Sequence, residues 1–540
     1  MIRQRRSWVG LISICGLAAL GCGRGERCDR CESLVIAATG QPQSVLPALV
    51  VETVGRDISD QVFERLADLR PGPPTLDPAA FQPRLAARWE RVDSLTWRFH
   101  LRPGARWSDG QALTAEDVAF SFEAFSDSAI DAPARPYLQG KLKVVVEDGS
   151  TFLVRFGRVY PEQLYDATYH VRVMPKHIWG GRPKESWVGD TALDLLVGSG
   201  PYRLIGWTRG QALTLEAVLG ANQHSRIRRL VWRFMPDPDA ALDLVLSHEA
   251  DVLESVVGAD RLRRLSNDDS IVQVRYPSAA YGFLGYHLAT EPDKPQAILG
   301  DRRIRRALTL AVDRSTVARS VYGNDVKVPP GPMSQVLWIW DDSIKALGYD
   351  TAEAGHLLDQ AGWSRGRNGL RTQAGRPLAF DILVPGTSPT RRQIAEALQE
   401  AWRRVGARVS IVAVDFPVFQ QRLARGQFDA YVGAWLDEPS PRGLADQWTR
   451  EGWGALNYGH YANARFDSLF ARAAGESDVG RARLAWREAM DTLNADAPAL
   501  FLYAPTNVAA VSRRLRGVTL DPYSWLSRLS EWSLATLDRQ

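Results

Sequence analysis

Residues that could perform catalysis are scattered along this 540-residue chain. A nucleophile needs an adjacent base, and a catalytic metal needs ligands at set spacings. His248-Glu249 is not a zinc-protease motif, because Val252 stands in place of the second histidine. Gly198-Ser199-Gly200 is not a dinucleotide loop, because Arg203 replaces the third glycine. The sequence therefore predicts no catalytic residues, no metal site and no cofactor.

The chain begins with the layout of a secretory signal. Three arginines precede an apolar run that ends in small residues, as in exported proteins. Leu20-Gly21-Cys22 at its end resembles a bacterial lipobox, whose cysteine is acylated and becomes the first mature residue. We therefore predict lipidation of Cys22, with cleavage of an ordinary signal peptide near this point as the alternative.

Cleavage before Cys22 leaves Cys28 and Cys31 as the remaining pair. This pair indicates a tether disulfide or a pair without function rather than a redox motif, because no strand precedes it and no helix pattern follows. Cleavage also removes Arg3, Arg5 and Arg6, so the formal net charge of +4 falls by three to +1. A near-neutral exported chain gives no indication of nucleic-acid binding.

Length and composition indicate a large globular protein. At 540 residues, with 45% hydrophobic and 24% charged residues, the chain is expected to form two or three compact units. Within residues 97–125 a strand with alternating polarity precedes a helix. Thr114 and Asp117 have the spacing of a capping box at the start of that helix.

Strands and helices alternate in the second half of the chain. We expect strands over 378–384, 408–414 and 428–434, separated by helices over 390–405 and 416–424. Such spacing predicts parallel pairing, with ligands bound beyond the carboxyl ends of the strands. Earlier, residues 301–313 form an amphipathic helix pattern whose arginines indicate a solvated face, with an anion site as the alternative.

An ordered series of short motifs resembles the extracellular solute-binding proteins of family 5, which contain the oligopeptide-, dipeptide- and nickel-binding components of ABC importers. The motifs are Glu64-Arg65-Leu66-Ala67-Asp68-Leu69, Pro83-Arg84-Leu85-Ala86, Leu101-Arg102-Pro103-Gly104, Trp107-Ser108-Asp109-Gly110, Thr114-Ala115-Glu116-Asp117-Val118 and Gly198-Ser199-Gly200-Pro201-Tyr202.

The resemblance implies a two-lobed α/β fold of the periplasmic-binding-protein type II (Venus-flytrap) class, with an accessory subdomain in the first lobe. The expected segments are a signal peptide (1–21), a lipid-anchored tether (22–33), lobe I (34–60, 195–277 and 505–540), the accessory subdomain (61–194) and lobe II (278–504).

The resemblance also implies a site within Gly433-Ala434-Trp435-Leu436-Asp437-Glu438-Pro439. Family peptide binders hold the ligand's amino group with an aspartate shortly after a Gly-Trp pair. They pair its backbone with neighbouring main-chain groups. Asp437 is thus the expected amine-binding residue, with Trp435 as a pocket wall and Gly433 and Ala434 beside it. Asp437 as a turn carboxylate and Trp435 as plain core are the alternatives.

The function implied by the resemblance is capture of a peptide or similar small solute outside the cytoplasmic membrane. The protein, a monomer held to the membrane by its N-terminal lipid, would deliver the solute to an ABC permease and its ATPases. One rival function is a lipid-anchored hydrolase without a recognisable motif. Another is a sensor or chaperone that uses the same fold without transport.

Overall fold

The computed structural model describes residues 32–188, 193–220, 225–291 and 294–535. Cys22, Cys28 and Cys31 lie outside the described residues. Within those ranges, no helix is long and apolar enough to cross a membrane. The strands are β1 (Ser33–Ala38), β2 (Ala67–Leu69), β3 (Phe81–Pro83), β4 (Ala86–Arg91), β5 (Thr96–Leu101), β6 (Leu142–Val146), β7 (Thr151–Phe156), β8 (Tyr202–Thr208), β9 (Ala212–Ala217), β10 (Arg229–Phe234), β11 (Val252–Leu253), β12 (Ile271–Pro277), β13 (Ala280–Tyr286), β14 (Ala289–Glu291), β15 (Lys294–Pro295), β16 (Val326–Lys327), β17 (Ser364–Arg365), β18 (Arg371–Gln373), β19 (Arg376–Pro377), β20 (Ala379–Pro385), β21 (Arg408–Val414), β22 (Ala430–Leu436), β23 (Ala499–Ser512), β24 (Leu515–Arg516) and β25 (Ser533–Leu534).

Helices connect these strands and cover the sheets. They are α1 (Thr53–Val62), α2 (Ala115–Ser126), α3 (Arg135–Leu138), α4 (Gln163–Thr168), α5 (Lys176–Trp179), α6 (Pro238–Leu246), α7 (Ala259–Ser266), α8 (Arg302–Leu310), α9 (Arg314–Tyr322), α10 (Thr351–Gln360), α11 (Pro389–Arg404), α12 (Phe416–Ala424), α13 (Ala445–Trp448), α14 (Ala464–Gly475) and α15 (Val479–Asp496).

The predicted α/β unit is present in the second half of the chain. Strand β20 pairs in parallel with β21 and β22, and α11 buries Ile394, Leu398 and Trp402. The strand expected over 428–434 instead spans Ala430–Leu436. Trp435 therefore lies inside strand β22 rather than beyond its end. Asp437 is the first residue after the strand.

A second set of strands forms around the N-terminal strand. Strand β1 pairs in parallel with β10 and β11, and β9 joins β10 in the antiparallel direction. The order across the continuous sheet is β21-β20-β22-β13-β23-β11-β1-β10-β9-β8. The mixed α/β class predicted from the sequence is confirmed.

Two chain segments cross between the halves of this sheet. The first runs from β12 into β13. The second is β23, which pairs with β13 near its start and with β11 and β12 near its end. A Cβ atom on Gly282 would lie 1.9 Å from Cζ of Tyr503, so the Tyr503 ring of β23 can pack over β13 only because residue 282 is glycine.

A separate antiparallel sheet of order β4-β5-β7-β6 lies in residues 86–156. The predicted capping box is present: the amide of Thr114 donates a 2.8 Å hydrogen bond to Oδ2 of Asp117. The buried face of α2 carries Val118, Phe122 and Phe125 against this sheet. This antiparallel sheet corresponds to the predicted accessory subdomain.

Two large clusters of buried side chains form the core. One extends from Leu34 to Phe234 and adds residues of the C-terminal segment up to Trp532. The other extends from Tyr281 to Tyr503. Residues of the accessory sheet belong to the first cluster, so this sheet shares its core with the strands around β1. The exact segment boundaries stay a prediction.

Candidate functional site

A cavity of about 100 Å³ lies between the two core clusters. Residues 60–84 and 521–527 supply most of its lining. The opposite side consists of Val336, Trp338 and Pro439. Tyr523 closes part of it, because its hydroxyl donates a 3.2 Å hydrogen bond to the carbonyl of Val336. The cavity is thus built by residues from both clusters.

Asp437 does not itself line this cavity, but it lies two residues before Pro439, which does, and its charge raises the pKa of the lining residue Tyr523. Its side chain is buried, and Oδ2 accepts a 2.6 Å hydrogen bond from the backbone amide of Ser334. The backbone amide of Asp437 donates a 2.8 Å hydrogen bond to the carbonyl of Ala279, which extends the β13–β22 pairing by one step. The carboxylate is therefore held by a distant loop, and its hydrogen bond is not the local one of a turn residue.

The charge on Asp437 has no partner of opposite sign among the described residues. Burial raises the pKa of Asp437 to about 7, and the amide of Ser334 offsets only part of this rise. Burial is the main cause of the raised pKa values of the nearby phenols Tyr523 and Tyr281. The charge of Asp437 raises both pKa values further. A buried carboxylate in this state can accept a cation from a ligand.

Several of the charges that line the cavity are, by contrast, already paired. Arg65 lies 3.2 Å from Asp60, which also receives a hydrogen bond from Arg172. Burial alone would raise the pKa of Asp60, but these two guanidinium groups hold it below its usual value. Arg84 is paired in the same way with Asp68. Among the described residues, neither Asp437 nor the cavity-lining acid Asp521 has a salt-bridge partner, and burial raises the pKa of both.

The predicted site residues before Asp437 form the end of strand β22. Gly433, Ala434 and Trp435 are paired with β13 along one edge. On the other edge, β20 is paired with β22 only at Ala430 and Tyr431. Within the described ranges, the later residues of β22 therefore have no strand on that side.

Trp435 contacts other aromatic rings and does not line the cavity. Its ring stacks on Tyr458 with centroids 6.2 Å apart. Both rings line a small hollow with Tyr431 and Trp448, separate from the cavity beside Asp437. The structure thus places Asp437 close to the lining residues Pro439 and Tyr523, and Trp435 in a separate hollow.

The sequence reasoning missed the C-terminal contribution to the cavity. Asp521 is buried there, which raises its pKa, and its Oδ1 accepts a 2.9 Å hydrogen bond from the amide of Tyr523. A motif signal for Asp521 and Tyr523 is lacking in the sequence, because only tertiary contacts bring this segment to the cavity. In the part of the chain that the structure describes, no cluster of three metal-binding side chains occurs.

Comparison with known proteins places the chain in a family. Residues 80–455 match the model of the bacterial extracellular solute-binding proteins, family 5. The chain belongs to this family. Protein XP55 of Streptomyces lividans is 28% identical over 91% of this chain and 87% of its own length. The oligopeptide-binding protein AppA of Bacillus subtilis is 23% identical over 93% of this chain and 91% of its own length.

A solved structure of a family member supports the fold. The structure of AppA from Bacillus subtilis in complex with a nonapeptide superposes with a TM-score of 0.77 at 22% identity, covering 93% of this chain and 99% of that one. This family 5 protein is thus the solute-binding component of an ABC importer, and not an enzyme. The predicted family and fold class are confirmed.

Proposed function

We propose that this protein binds a peptide, or a similar small solute with a positively charged amine, between two lobes and delivers it to an ABC permease. The observation that carries the proposal is Asp437, a buried carboxylate beside a cavity and without a cationic partner among the described side chains. An ammonium group that enters the cavity would stabilise this charge, and the pairing would contribute to solute affinity.

The unpaired edge of strand β22 supports a peptide over other amines. Residues 433–436 are paired only with β13, so their second edge can accept an extended backbone within the described structure. Pairing of this kind is independent of ligand side chains and tolerates many sequences. The names of related proteins, which include an oligopeptide-binding protein, agree with this class of ligand.

Closure of the lobes is the proposed delivery signal. In this proposal the two core clusters are lobe I with its accessory subdomain and lobe II, and only the β12–β13 junction and β23 cross between the clusters as strands in the described chain. A ligand that contacts both sides stabilises the closed form by its differential affinity for the two states. The permease would recognise this closed form of a monomer.

The proposal includes a lipid anchor at Cys22, on the outer side of the cytoplasmic membrane or in the periplasm. The lipobox-like Leu20-Gly21-Cys22 supports it. Metabolic labelling with a radioactive fatty acid should label the wild type and leave Cys22→Ser unlabelled. An unlabelled wild type would replace the lipoprotein proposal with an ordinary signal peptide.

Native mass spectrometry of the protein purified without denaturation tests the proposed binding. We expect an adduct that is released unchanged on denaturation and carries a free amine. Asp437→Asn should retain much less of it, while Asp467→Asn, a partly buried acid in lobe II away from the cavity, should retain the wild-type amount. Equal retention by all three proteins would remove Asp437 from the site, and a chemically altered solute would favour the hydrolase.

A further inference from the structure

A network of buried charges joins the accessory subdomain to lobe II. The Arg442 guanidinium donates from Nη2 to Oδ1 of Asp166 at 2.6 Å and from Nε to Oε2 of Glu162. The hydroxyl of Ser440 donates a second hydrogen bond to Oε2 of Glu162, at 2.6 Å. The two acids lie at the start of α4 and on it, and their partners lie in and just before the 3-10 turn Pro441–Leu444.

The two acids of this network are almost fully buried. Side-chain exposure is 3% for both Glu162 and Asp166, and 18% for Arg442. Groups of the accessory subdomain use the remaining oxygen atoms: Thr75 donates to Glu162, and Tyr160 donates to Asp166 at 2.6 Å. Hydrogen bonds within the accessory subdomain therefore hold both acids in place independently of lobe II.

Other charged or titratable groups near this network are few. His170 lies 3.2 Å from Asp166 and stacks on Tyr137, with ring centroids 4.4 Å apart. Lys141 and Arg158 line a shallow hollow beside the same groups. Glu438 and Asp446 of lobe II influence the phenol of Tyr137. Arg442 is thus the cation of lobe II that directly contacts the two acids among the described residues.

The electrostatics favour the joined state. Burial opposes ionisation of both partners, yet Asp166 and Glu162 raise the pKa of Arg442 above its usual value. His170 and Arg442 likewise hold the pKa of Asp166 below its usual value despite its burial. Removing the guanidinium would leave two acids close together in a largely dry site, which is costly.

The network lies outside the strands that connect the lobes. The β12–β13 junction and β23 connect the lobes covalently, whereas separation of the lobes would break the contacts of Arg442 with Glu162 and Asp166. Arg442, Glu162, Asp166 and Ser440 do not line the cavity, whereas Thr75, which donates to Glu162, does.

We infer that Arg442, Glu162, Asp166 and Ser440 form an inter-lobe clasp that stabilises the closed protein and sets its affinity for all solutes by a common factor. The inference rests on the proposed function, because closure matters only if solute is bound between the lobes. A clasp acts on the population of the binding-competent state, so its loss weakens each dissociation constant equally. A residue that contacts solute would instead discriminate between solutes.

Arg442→Gln tests the clasp, with Arg472→Gln as a matched control because Arg472 pairs with Glu488 within lobe II at an exposed site. Small-angle X-ray scattering of the solute-free proteins should give a larger radius of gyration for Arg442→Gln than for the wild type and the control. Titration with two different solutes, a dipeptide and a longer peptide, should give dissociation constants for Arg442→Gln that are weaker by one common factor of about tenfold or more.

Arg442→Lys is the conservative variant, and it should recover part of both effects. Should Arg442→Gln not fold, Ser440→Ala, which keeps all charges, should produce the same changes at smaller size. An unchanged radius of gyration in folded Arg442→Gln would overturn the clasp, as would a loss of affinity for only one solute. If even the wild type binds no solute, the proposed function fails, while the scattering data still decide the clasp.

Discussion

The backbone amide of Ser334 lies 2.6 Å from Oδ2 of Asp437, a residue 103 positions later in the chain. This hydrogen bond orients the carboxylate without neutralising it. Ser334 is itself fully buried, so this hydrogen bond is shielded from bulk solvent. Asp437 is therefore held as a destabilised charge that a ligand amine can pair with.

The stability of the solute-free protein should depend on pH through Asp437. Its pKa is about 7 when folded and 3.8 as an ordinary aspartate, so the folded state binds the proton more tightly. Its contribution to stability is complete below pH 4 and is lost as pH rises to 7, by about 1.4 kcal/mol per pH unit and about 4 kcal/mol in total.

Thermal unfolding of Asp437→Asn checks this expectation. The variant lacks the buried charge, so its melting temperature relative to wild type should rise between pH 4 and pH 7 and stay constant above pH 7. Asp131→Asn, which alters a fully exposed side chain, should show no such pH-dependent difference. Parallel curves for wild type and Asp437→Asn would mean that Asp437 does not titrate in this window.

Solute binding should release a proton at low pH. An ammonium ion favours the charged form of Asp437, so at pH 6 the bound state loses close to one proton relative to the free protein. With a pKa of about 7, affinity should increase about eightfold from pH 6 to pH 7.5. Calorimetry in buffers of different ionisation enthalpy measures the released proton. Asp437→Asn should release none, and proton release by this variant would assign it to another group.

Gly433 should be needed for packing at the site. A Cβ atom there would lie 2.8 Å from Cε2 of Tyr431 and 2.9 Å from Cζ of Phe283, and both rings are buried. Gly433→Ala should therefore destabilise the protein by about 1–3 kcal/mol in denaturant unfolding. Gly206→Ala is the control, because it places a methyl group on a strand with no atom within 4 Å. Equal stability of both variants would contradict the close packing.

A buried ion pair should secure the N-terminal strand. Arg514 lies 2.5 Å from Oδ1 of Asp251, whose Oδ2 accepts a 2.8 Å hydrogen bond from the amide of Val35 in β1. Arg514→Met leaves this acid buried without its cation and should cost about 3 kcal/mol in urea unfolding. Arg528→Met, at the exposed pair with Glu531, should cost under about 1 kcal/mol. Comparable losses of stability in the two variants would show that the buried Arg514–Asp251 pair contributes no more than the exposed pair.

Local features of the fold could be predicted from the sequence. Strand 408–414 and helix 416–424 have the expected bounds, because polarity, capping and turn residues all lie within a few positions. The capping box at Thr114 depends on residues only three apart. His248, with φ of 60°, shows that a left-handed position can also fall on a residue other than glycine.

Features that depend on distant contacts could not be predicted in this way. Arg305 was expected on a solvated helix face, yet it is buried and donates hydrogen bonds to the carbonyls of Asp496 and Ala497. The periodicity of residues 301–313 cannot reveal that helix α8 packs against the end of helix α15. The partner of Asp437 and the acids of the clasp are likewise set by segments more than 100 residues away.

Isothermal titration calorimetry with one peptide, in its free and N-acetylated forms, tests the central claim most directly. Wild-type protein should bind the free amine far more tightly than the acetylated form, and Asp437→Asn should lose most of this preference. Asp521→Asn, which alters another buried acid at the cavity, should keep it. Equal losses for both peptide forms in Asp437→Asn, or loss of the preference only in Asp521→Asn, would contradict the account.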